Sequence, residues 1–308
     1  MEFRHVTVLL RETVEQVLTD PDGIYVDCTL GGGGHTSLLL SKLSDKGRVI
    51  AIDRDDVALE HARETIHDPR LTLCKSNFSE IGEICRKFAP DGVTGILADL
   101  GISSPQVDDP ARGFSYSADA PLDMRMDQTQ GFSAFDVVNT YCRDDLVRIL
   151  RDYGEERFAG KVADHILRAR EKAPIRTTSE LTAIVAAALP KMNKKEGHPC
   201  KRTYQAIRIE VNSELSSISE MIENGIPCLK KDGRMAIISF HSLEDRIVKN
   251  AFQTLERPCT CPKDFPVCVC GKVPQVEVLT RKPMLPTEEE ITANNRAHSA
   301  KLRVCRKL

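Results

Sequence analysis

A glycine run followed 20 residues later by an acid is the pattern in this chain with the clearest chemical meaning. Residues 31–36 read GGGGHT, directly after an apolar strand predicted at 24–29 and before a predicted helix. Glycines at such a turn let a ligand approach the main chain, and the helix N-terminus presents N–H groups to it. Asp53 ends the next predicted strand, where a carboxylate can accept hydrogen bonds from both hydroxyls of a ribose. The pattern favours a ligand that contains a nucleoside.

The glycine spacing distinguishes between classes of nucleoside ligand. A dinucleotide fingerprint needs glycine at its first, third and sixth positions, and here the sixth is Thr36 or Ser37. A phosphate-binding Walker loop ends in GKS or GKT, which this turn lacks. We therefore expect S-adenosylmethionine, with another nucleotide or a bare structural turn as alternatives. His35 is expected to contact the ligand or cap the helix, and Phe78 to lie against the adenine or in the core.

A second candidate site follows the fourth predicted strand, where residues 99–106 read DLGISSPQ. Ligands of open α/β sheets bind beyond the carboxyl ends of the strands. Enzymes that methylate amino groups of bases often carry an acid, Asn or Ser followed by two prolines and an aromatic residue here. Ser104 and Pro105 form a divergent version, which a plain turn would also explain. The missing aromatic ring would come from Phe114, Tyr116 or Phe240.

The chemistry expected at this loop is methyl transfer to an exocyclic amine. Such a nitrogen is conjugated with its ring and is a poor nucleophile. Acceptors aimed at its N–H hydrogens would draw it toward tetrahedral geometry, so positioning and preorganised polarity would supply most of the catalysis.

Alternating strands and helices predict the scaffold for these residues. Apolar strands at 24–29, 48–53, 71–74 and 93–99 alternate with helical segments, which is typical of a doubly wound, mainly parallel α/β sheet. The strand pattern stops after residue 104 and returns at 233–240. We therefore predict a methyltransferase domain formed by residues 1–104 and 209–308. Residues 105–208 are predicted to form an inserted helical domain that recognises the substrate.

The composition is that of an ordinary globular protein. Hydrophobic residues make up 41% and charged residues 29%, enough for a sizeable core. Lys and Arg number 43 against 45 Asp and Glu, so nucleic acid would have to engage a local basic face. No apolar run has the length of a membrane helix. The odd number of cysteines, 11, indicates reduced thiols and a cytoplasmic protein.

Basic residues late in the insertion are the candidate contacts to RNA. Such a stretch is typical of a solvated face or of a track for phosphates. Its members are Lys191, Lys194, Lys195, Lys201, Arg202 and Arg208. From these we expect RNA contacts by Lys201, Arg202 and Arg208, and further contacts by Arg112 and Asn212. The polar face that carries Arg208 and Asn212 could instead meet solvent. C-terminal cations could extend the track: Arg296, Lys301, Arg303, Arg306 and Lys307.

Two further segments have a chemical and a plain interpretation. Residues 239–246 read SFHSLEDR after the returning strand, which would place His241 or Asp245 beside the target base, or simply cap a helix. Cys259, Cys261, Cys268 and Cys270 form two C-x-C pairs that could bind a structural zinc ion or remain an unligated, redox-sensitive cluster. The usual spacing of zinc ligands has two residues inside each pair. We predict no catalytic metal.

Five segments occur in an order that closely resembles one protein family. They are residues 31–36 (GGGGHT), 99–106 (DLGISSPQ), 112–115 (RGFS), 121–126 (PLDMRM) and 239–246 (SFHSLEDR). Together they resemble the bacterial small-subunit ribosomal RNA (cytosine-N4)-methyltransferases, also called MraW or RsmH. The resemblance extends from His5 to Arg303, almost the whole chain.

This resemblance implies a class I (Rossmann-like) methyltransferase sheet with a helical insertion and S-adenosylmethionine as the cofactor. The implied methyl acceptor is N4 of a cytidine in the decoding region of 16S rRNA, as RNA or in the small ribosomal subunit. We expect a monomer or homodimer. The implied cofactor contacts are Gly33, Gly34, His35, Asp53, Phe78, Asp99 and Gln106. A DNA amino-methyltransferase and a non-catalytic RNA-binding ribosome assembly factor are the alternatives.

Overall fold

A seven-stranded sheet organises one part of the chain in the computed structural model, which describes residues 7–190, 198–262 and 269–308. In chain order the strands are β1 (Ile24–Asp27), β2 (Arg48–Asp53), β3 (Leu71–Lys75), β4 (Val93–Asp99), β5 (Leu229–Ser239), β6 (Val276–Val278) and β7 (Lys301–Lys307). Their order across the sheet is β3-β2-β1-β4-β5-β7-β6. Strands β1 to β5 are parallel, and β7 is antiparallel to β5 and β6. The predicted doubly wound α/β sheet is confirmed, and it has an antiparallel edge that the sequence pattern did not show.

The helices of the described residues follow the chain as α1 (Leu10–Val17), α2 (Gly34–Lys42), α3 (Asp56–Thr65), α4 (Ile81–Phe88), α5 (Ser104–Asp108), α6 (Ala134–Thr140), α7 (Arg143–Asp152), α8 (Ala159–Arg170), α9 (Thr178–Ala188), α10 (Lys201–Asn212), α11 (Glu214–Gly225), α12 (Ser242–Glu256) and α13 (Glu288–Ala293). Several begin at side-chain caps: Asp55 accepts from the Val57 N–H, and Thr177 accepts from the Glu180 N–H. Among these helices, none has the length and apolar character needed to cross a bilayer.

The two faces of the sheet are covered by different helices. Val26 and Ile50 belong to a buried cluster that includes residues of α4, α11 and α12. Their strand neighbours Tyr25 and Val49 point the other way, into a cluster with α1 and α2. Because both faces are buried, the strands read as continuous apolar runs.

The chain divides into two compact units. Residues 102–214 form one, here called the helical unit, and the remaining described residues form the other, the sheet unit. The helical unit has its own hydrophobic core, to which α6 to α10 contribute Val138, Ile149, Val162, Val185 and Ile207. The inserted domain predicted at residues 105–208 lies within the bounds of the helical unit.

Strand β5 begins earlier than the hydrophobic pattern predicts. Leu229 pairs with Val93, and regular pairing resumes with Arg234 opposite Gly95. The intervening residues 230–232 are exposed, and Asp232 has a left-handed backbone with φ 65°. An irregular, polar stretch of this kind hides the start of a strand from any pattern based on buried residues.

Candidate cofactor site and substrate-binding residues

The glycine run forms a tight turn between β1 and α2. Gly31 and Gly33 have left-handed backbones, with φ of 48° and 75°. Gly33 is the N-cap of α2, which has neither a side-chain cap nor an acid in its first turn. Asp27 accepts from the Thr36 N–H in this first turn. The N–H groups at a helix N-terminus favour polar or negatively charged ligand groups. Since the N-cap is Gly33, the alternative role of His35 as the capping residue is wrong; His35 is the second residue of the helix and is 3% exposed.

Replacing Gly33 with Ala is expected to destabilise the sheet unit by about 1–2 kcal/mol, because an L side chain is strained in the left-handed region. The added Cβ would also lie 2.8 Å from Cδ1 of Ile66. Urea unfolding monitored by circular dichroism measures the change. Gly131→Ala is the control, since no atom lies within 4 Å of its added Cβ. Equal stability of the two variants would contradict the expectation.

Asp53 lies against the glycine turn at the end of β2. Its Oδ2 accepts a hydrogen bond of 2.9 Å from the Gly31 N–H, and its Oδ1 accepts one of 2.9 Å from the Asp55 N–H. Burial raises the pKa of Asp53, and these two hydrogen bonds counteract the rise. Each carboxylate oxygen has a second lone pair. The structure therefore fixes the orientation of this carboxylate and leaves capacity for ribose hydroxyls.

Three neighbouring parallel strands each end in an acid at their carboxyl ends: Asp27 on β1, Asp53 on β2 and Asp99 on β4. Asp27 is fully buried and accepts from the Thr36 hydroxyl at 2.7 Å and from the Thr29 N–H at 3.1 Å. Burial raises its pKa to about 6. Asp27 was not among the predicted site residues, although a strand-ending acid directly before a glycine turn was a usable signal.

Asp99 ends β4 and is the third member of this group. Its N–H donates to the Thr29 hydroxyl at 2.6 Å. Its buried Oδ1 has no hydrogen-bond partner among the described residues. Burial, with the nearby carboxylates of Asp27, Glu244 and Glu290, raises the pKa of Asp99 well above its usual range. Because these carboxylates repel one another, a bound cation at the carboxyl ends of the strands would be favourable.

Phe78 follows β3 and begins a 3-10 turn, Phe78–Glu80. Asn77 caps this turn by accepting from the Ser79 N–H at 3.1 Å. The ring is partly buried against the core that α4 and α11 share with the sheet. This packing fixes its position and leaves part of the ring exposed, so contact with an adenine stays a prediction.

The Ser-Pro segment forms the first turn of α5 and belongs to the helical unit. The Gln106 side chain accepts from the Ser103 N–H at 3.1 Å, which caps the helix. Ser104 and Gln106 are 7% and 5% exposed. The structure thus gives Gln106 a capping role. Catalysis by Ser104 and Pro105 and cofactor contact by Gln106 remain predictions.

Arg112 and Asn212 have a different role from the expected RNA contacts. They are 4% and 1% exposed. Arg112 Nη2 donates to the backbone carbonyls of Arg125 and Met126 at 3.0 and 2.9 Å. Asn212 accepts from the Met126 N–H and donates to the Met124 carbonyl, each at 2.8 Å. They fix the 121–126 segment, in which Met124 has the unusual φ of 60°. The expectation of direct RNA contact is corrected, because neither side chain reaches the surface.

The basic residues of α10 separate into paired and exposed groups. Arg208 forms a bidentate ion pair with Glu214 at 2.8 and 2.9 Å and is only 15% exposed, which removes it as a phosphate contact. Lys201 and Arg202 are exposed in the first turn, and no ion pair joins them to another described residue. The expected residues Lys191, Lys194 and Lys195 lie outside the described residues.

His241 is the N-cap of α12. Its Nδ1 accepts from the Glu244 N–H at 3.4 Å, and its Nε2 lies 3.2 Å from Glu244 Oε1. The Glu244 carboxylate in turn accepts from the Phe240 and His241 N–H groups at 2.7 and 3.1 Å. Of the two interpretations, the structure supports the helix cap. The His241 Nε2 is buried and has no hydrogen-bond partner among the described residues, so a catalytic role of His241 stays a prediction.

Asp245 and the C-terminal cations neutralise one another. Arg303 Nε lies 2.6 Å and Lys301 Nζ 3.3 Å from the Asp245 carboxylate. Burial opposes ionisation of Asp245, but the two cations lower its pKa overall. Arg306 pairs with Glu277 at 2.6 Å. These pairs join α12 to β7 and β6 to β7, so Arg303 and Lys301 serve the fold rather than a phosphate track, and Asp245 is a poor proton acceptor.

Four features define the class of the protein. They are the strand order, the glycine turn after β1, the acid that ends β2 and the acidic group around the end of β4. It is an S-adenosylmethionine-dependent methyltransferase with a Rossmann-like sheet. The chain belongs to the MraW methylase family, whose model matches residues 2–308.

Curated relatives resemble the chain over its full length. Ribosomal RNA small subunit methyltransferase H from Clostridium botulinum is 52% identical over 309 residues, covering 100% of both chains. Proteins of the same name from Brevibacillus brevis and Clostridioides difficile are each 51% identical over 311 residues. They cover 100% of this chain and 99% and 100% of the relatives.

The residues of the sheet unit fit this cofactor, a nucleoside that carries positive charge. Asp53 would accept hydrogen bonds from the ribose, and the backbone at Gly31 and Gly33 would allow close approach. Asp99 offers a buried acceptor without a partner among the described residues, in an acidic setting that favours a cation.

Proposed function

We propose that this chain methylates N4 of a cytidine in the decoding region of 16S rRNA. The observation that carries the methyltransferase chemistry is the row of acids at the ends of β1, β2 and β4, which suits a cationic nucleoside cofactor. Full-length similarity to proteins named Ribosomal RNA small subunit methyltransferase H supports the RNA substrate. The ordered segments of the cytosine-N4 family support the target atom. A substrate of this kind also supports a cytoplasmic location.

The proposed roles of the residues are binding and orientation. When bound, the cofactor supplies a methyl group on a sulfonium, which is already reactive toward a nitrogen nucleophile. Asp53 and the glycine turn hold the nucleoside, and Asp99 matches its positive charge. Ser104 and Pro105, which follow β4 by five and six residues, would orient the cytidine amine. After attack the nitrogen loses a proton, and water suffices as the acceptor.

Methyl transfer to purified small ribosomal subunits that lack the modification tests this proposal. Labelled S-adenosylmethionine and nucleoside analysis of the RNA should yield N4-methylcytidine. Protein-free 16S rRNA and naked duplex DNA serve as comparison substrates. Transfer only to DNA, or tight cofactor binding with no transfer to any of them, would contradict the proposal and favour one of the alternative functions.

Lys201→Ala with Arg202→Ala is expected to weaken RNA binding and to reduce its dependence on salt. Each lost phosphate contact lowers the slope of log affinity against log salt by about 0.7–0.9, so the double variant should lose about 1.5 from this slope. Cofactor affinity should not change. Filter binding across a salt series measures the slope.

Arg86→Ala with Lys87→Ala is the matched control for this pair. These residues are an exposed Arg-Lys pair on α4 of the sheet unit, so replacing both removes the same charge as the Lys201 and Arg202 variant. An unchanged slope in the Lys201 and Arg202 variant, or an equal loss in the control, would reassign the start of α10 to a solvated face.

A further inference from the structure

The described part of the connection between α12 and β6 lacks regular secondary structure and a hydrophobic core. Its described residues, 257–262 and 269–275, form neither helix nor strand. Their apolar side chains do not supply a core, since Val269 and Val273 are 73% and 70% exposed. A connection of this length in a folded domain normally has structure of its own or a function. Something other than hydrophobic burial must therefore hold it.

Three cysteines converge in this connection. The Sγ atoms of Cys259, Cys261 and Cys270 all lie within 4.8 Å of one another. No disulfide joins any two of the described cysteines. In a tetrahedral zinc site with bonds of about 2.3 Å, sulfur atoms are about 3.8 Å apart, so a shift of roughly 1 Å would bring these thiols to ligand distance.

Two features of the backbone lie at these thiols. The Val269 N–H donates to Cys261 Sγ at 3.3 Å, an interaction that stabilises a thiolate. Gly271 follows Cys270 with a left-handed φ of 65°, which turns the chain directly after the third thiol. These two backbone features are observations separate from the short distances between the sulfur atoms.

We propose that Cys259, Cys261 and Cys270 bind one structural zinc ion that holds the described segments 257–262 and 269–275 together. Three thiolates from one short segment suit a soft, tetrahedral ion without redox chemistry. Because the segment has little hydrophobic core, metal binding supplies free energy that apolar contacts there do not. Cys268 lies outside the described residues, and the proposal rests on the other three. The site takes no part in methyl transfer.

Metal analysis of the full-length chain, purified under reducing conditions with added zinc, tests the proposal. We expect one zinc ion per chain by elemental analysis. Replacement by Co²⁺ should produce intense thiolate-to-metal charge-transfer absorption and the visible bands of a tetrahedral ion. Cys261→Ser should lower the affinity for zinc roughly 100-fold or more, because even loss of an outer-shell partner costs about 10–100-fold. Lower pH should also weaken binding, since the ligands are thiolates.

The control variant is Cys142→Ser, which removes an exposed cysteine of the helical unit. It should retain the metal and the cobalt spectrum. Limited proteolysis should cleave the connection at residues 257–275 faster after zinc is chelated, with far-ultraviolet circular dichroism confirming that the rest stays folded. Absence of metal from the folded protein, a disulfide within the cluster, or a spectrum unchanged by Cys261→Ser would overturn the proposal.

Discussion

Asp53→Ala is expected to weaken binding of S-adenosylmethionine roughly 100-fold or more. Hydrogen bonds to a charged acceptor contribute about 1.5–3 kcal/mol each, and the carboxylate would accept two from the ribose. The variant also removes the acceptor of the Gly31 N–H, which orients the glycine turn. Isothermal titration calorimetry with the cofactor and with S-adenosylhomocysteine should show similar losses, because both contain the ribose.

Asp55→Ala is the matched control for Asp53→Ala. It removes a neighbouring acid that caps α3 by accepting from the Val57 N–H at 3.2 Å. We expect it to cost about 1 kcal/mol of stability and little cofactor affinity. Thermal unfolding without ligand separates the two effects. A folded Asp53→Ala protein with unchanged cofactor affinity would remove Asp53 from the ribose site.

Asp99→Asn is expected to discriminate between the cofactor and its product. The attraction between two unit charges 4 Å apart is about 4 kcal/mol at an effective dielectric constant of 20. After partial compensation, we expect S-adenosylmethionine to bind roughly 100-fold more weakly near pH 8. S-adenosylhomocysteine lacks the sulfonium charge and should lose much less. Glu60→Gln, the same charge change at an exposed position of α3, should affect neither ligand.

The pH dependence of binding follows from the raised pKa of Asp99. A cation binds the ionised carboxylate better, so cofactor binding releases a proton and the affinity rises with pH until the pKa of the cofactor-free protein is passed. In Asp99→Asn this rise should shrink to the part contributed by Asp27, whose pKa is about 6. An affinity that is independent of pH in the unmodified protein would contradict the charge match.

The raised pKa of Asp99 also predicts how Asp99→Asn changes the free energy of unfolding. The folded protein binds a proton at Asp99 more tightly than the unfolded chain does, so ionisation above the unfolded pKa destabilises the fold. Asp99→Asn should therefore increase the stability of the cofactor-free protein, and the gain should grow as pH rises toward the folded pKa. Urea unfolding at several pH values measures this difference.

Residues whose role depends on local geometry were predictable from sequence. The strand, glycine turn and helix N-terminus around Gly33 are contiguous, and Asp53 ends the next strand, so their proximity follows from the parallel sheet. Ordered family segments then indicated the cofactor. His241 shows the limit, since a strand-to-helix junction suits a cap and a catalytic group equally well until its partner Glu244 is seen.

The sequence by itself determined the class of fold, the cofactor and the family of this protein, because periodicity and short motifs report local backbone geometry and burial. Only the tertiary structure decided which polar side chains are already engaged. Asn212 and Met126 are 86 residues apart, and Asp245 and Arg303 are 58 apart, so no local pattern predicts these pairs. Charge and polarity are visible in the sequence, but whether a charge meets solvent, a ligand or an internal partner depends on contacts between distant segments.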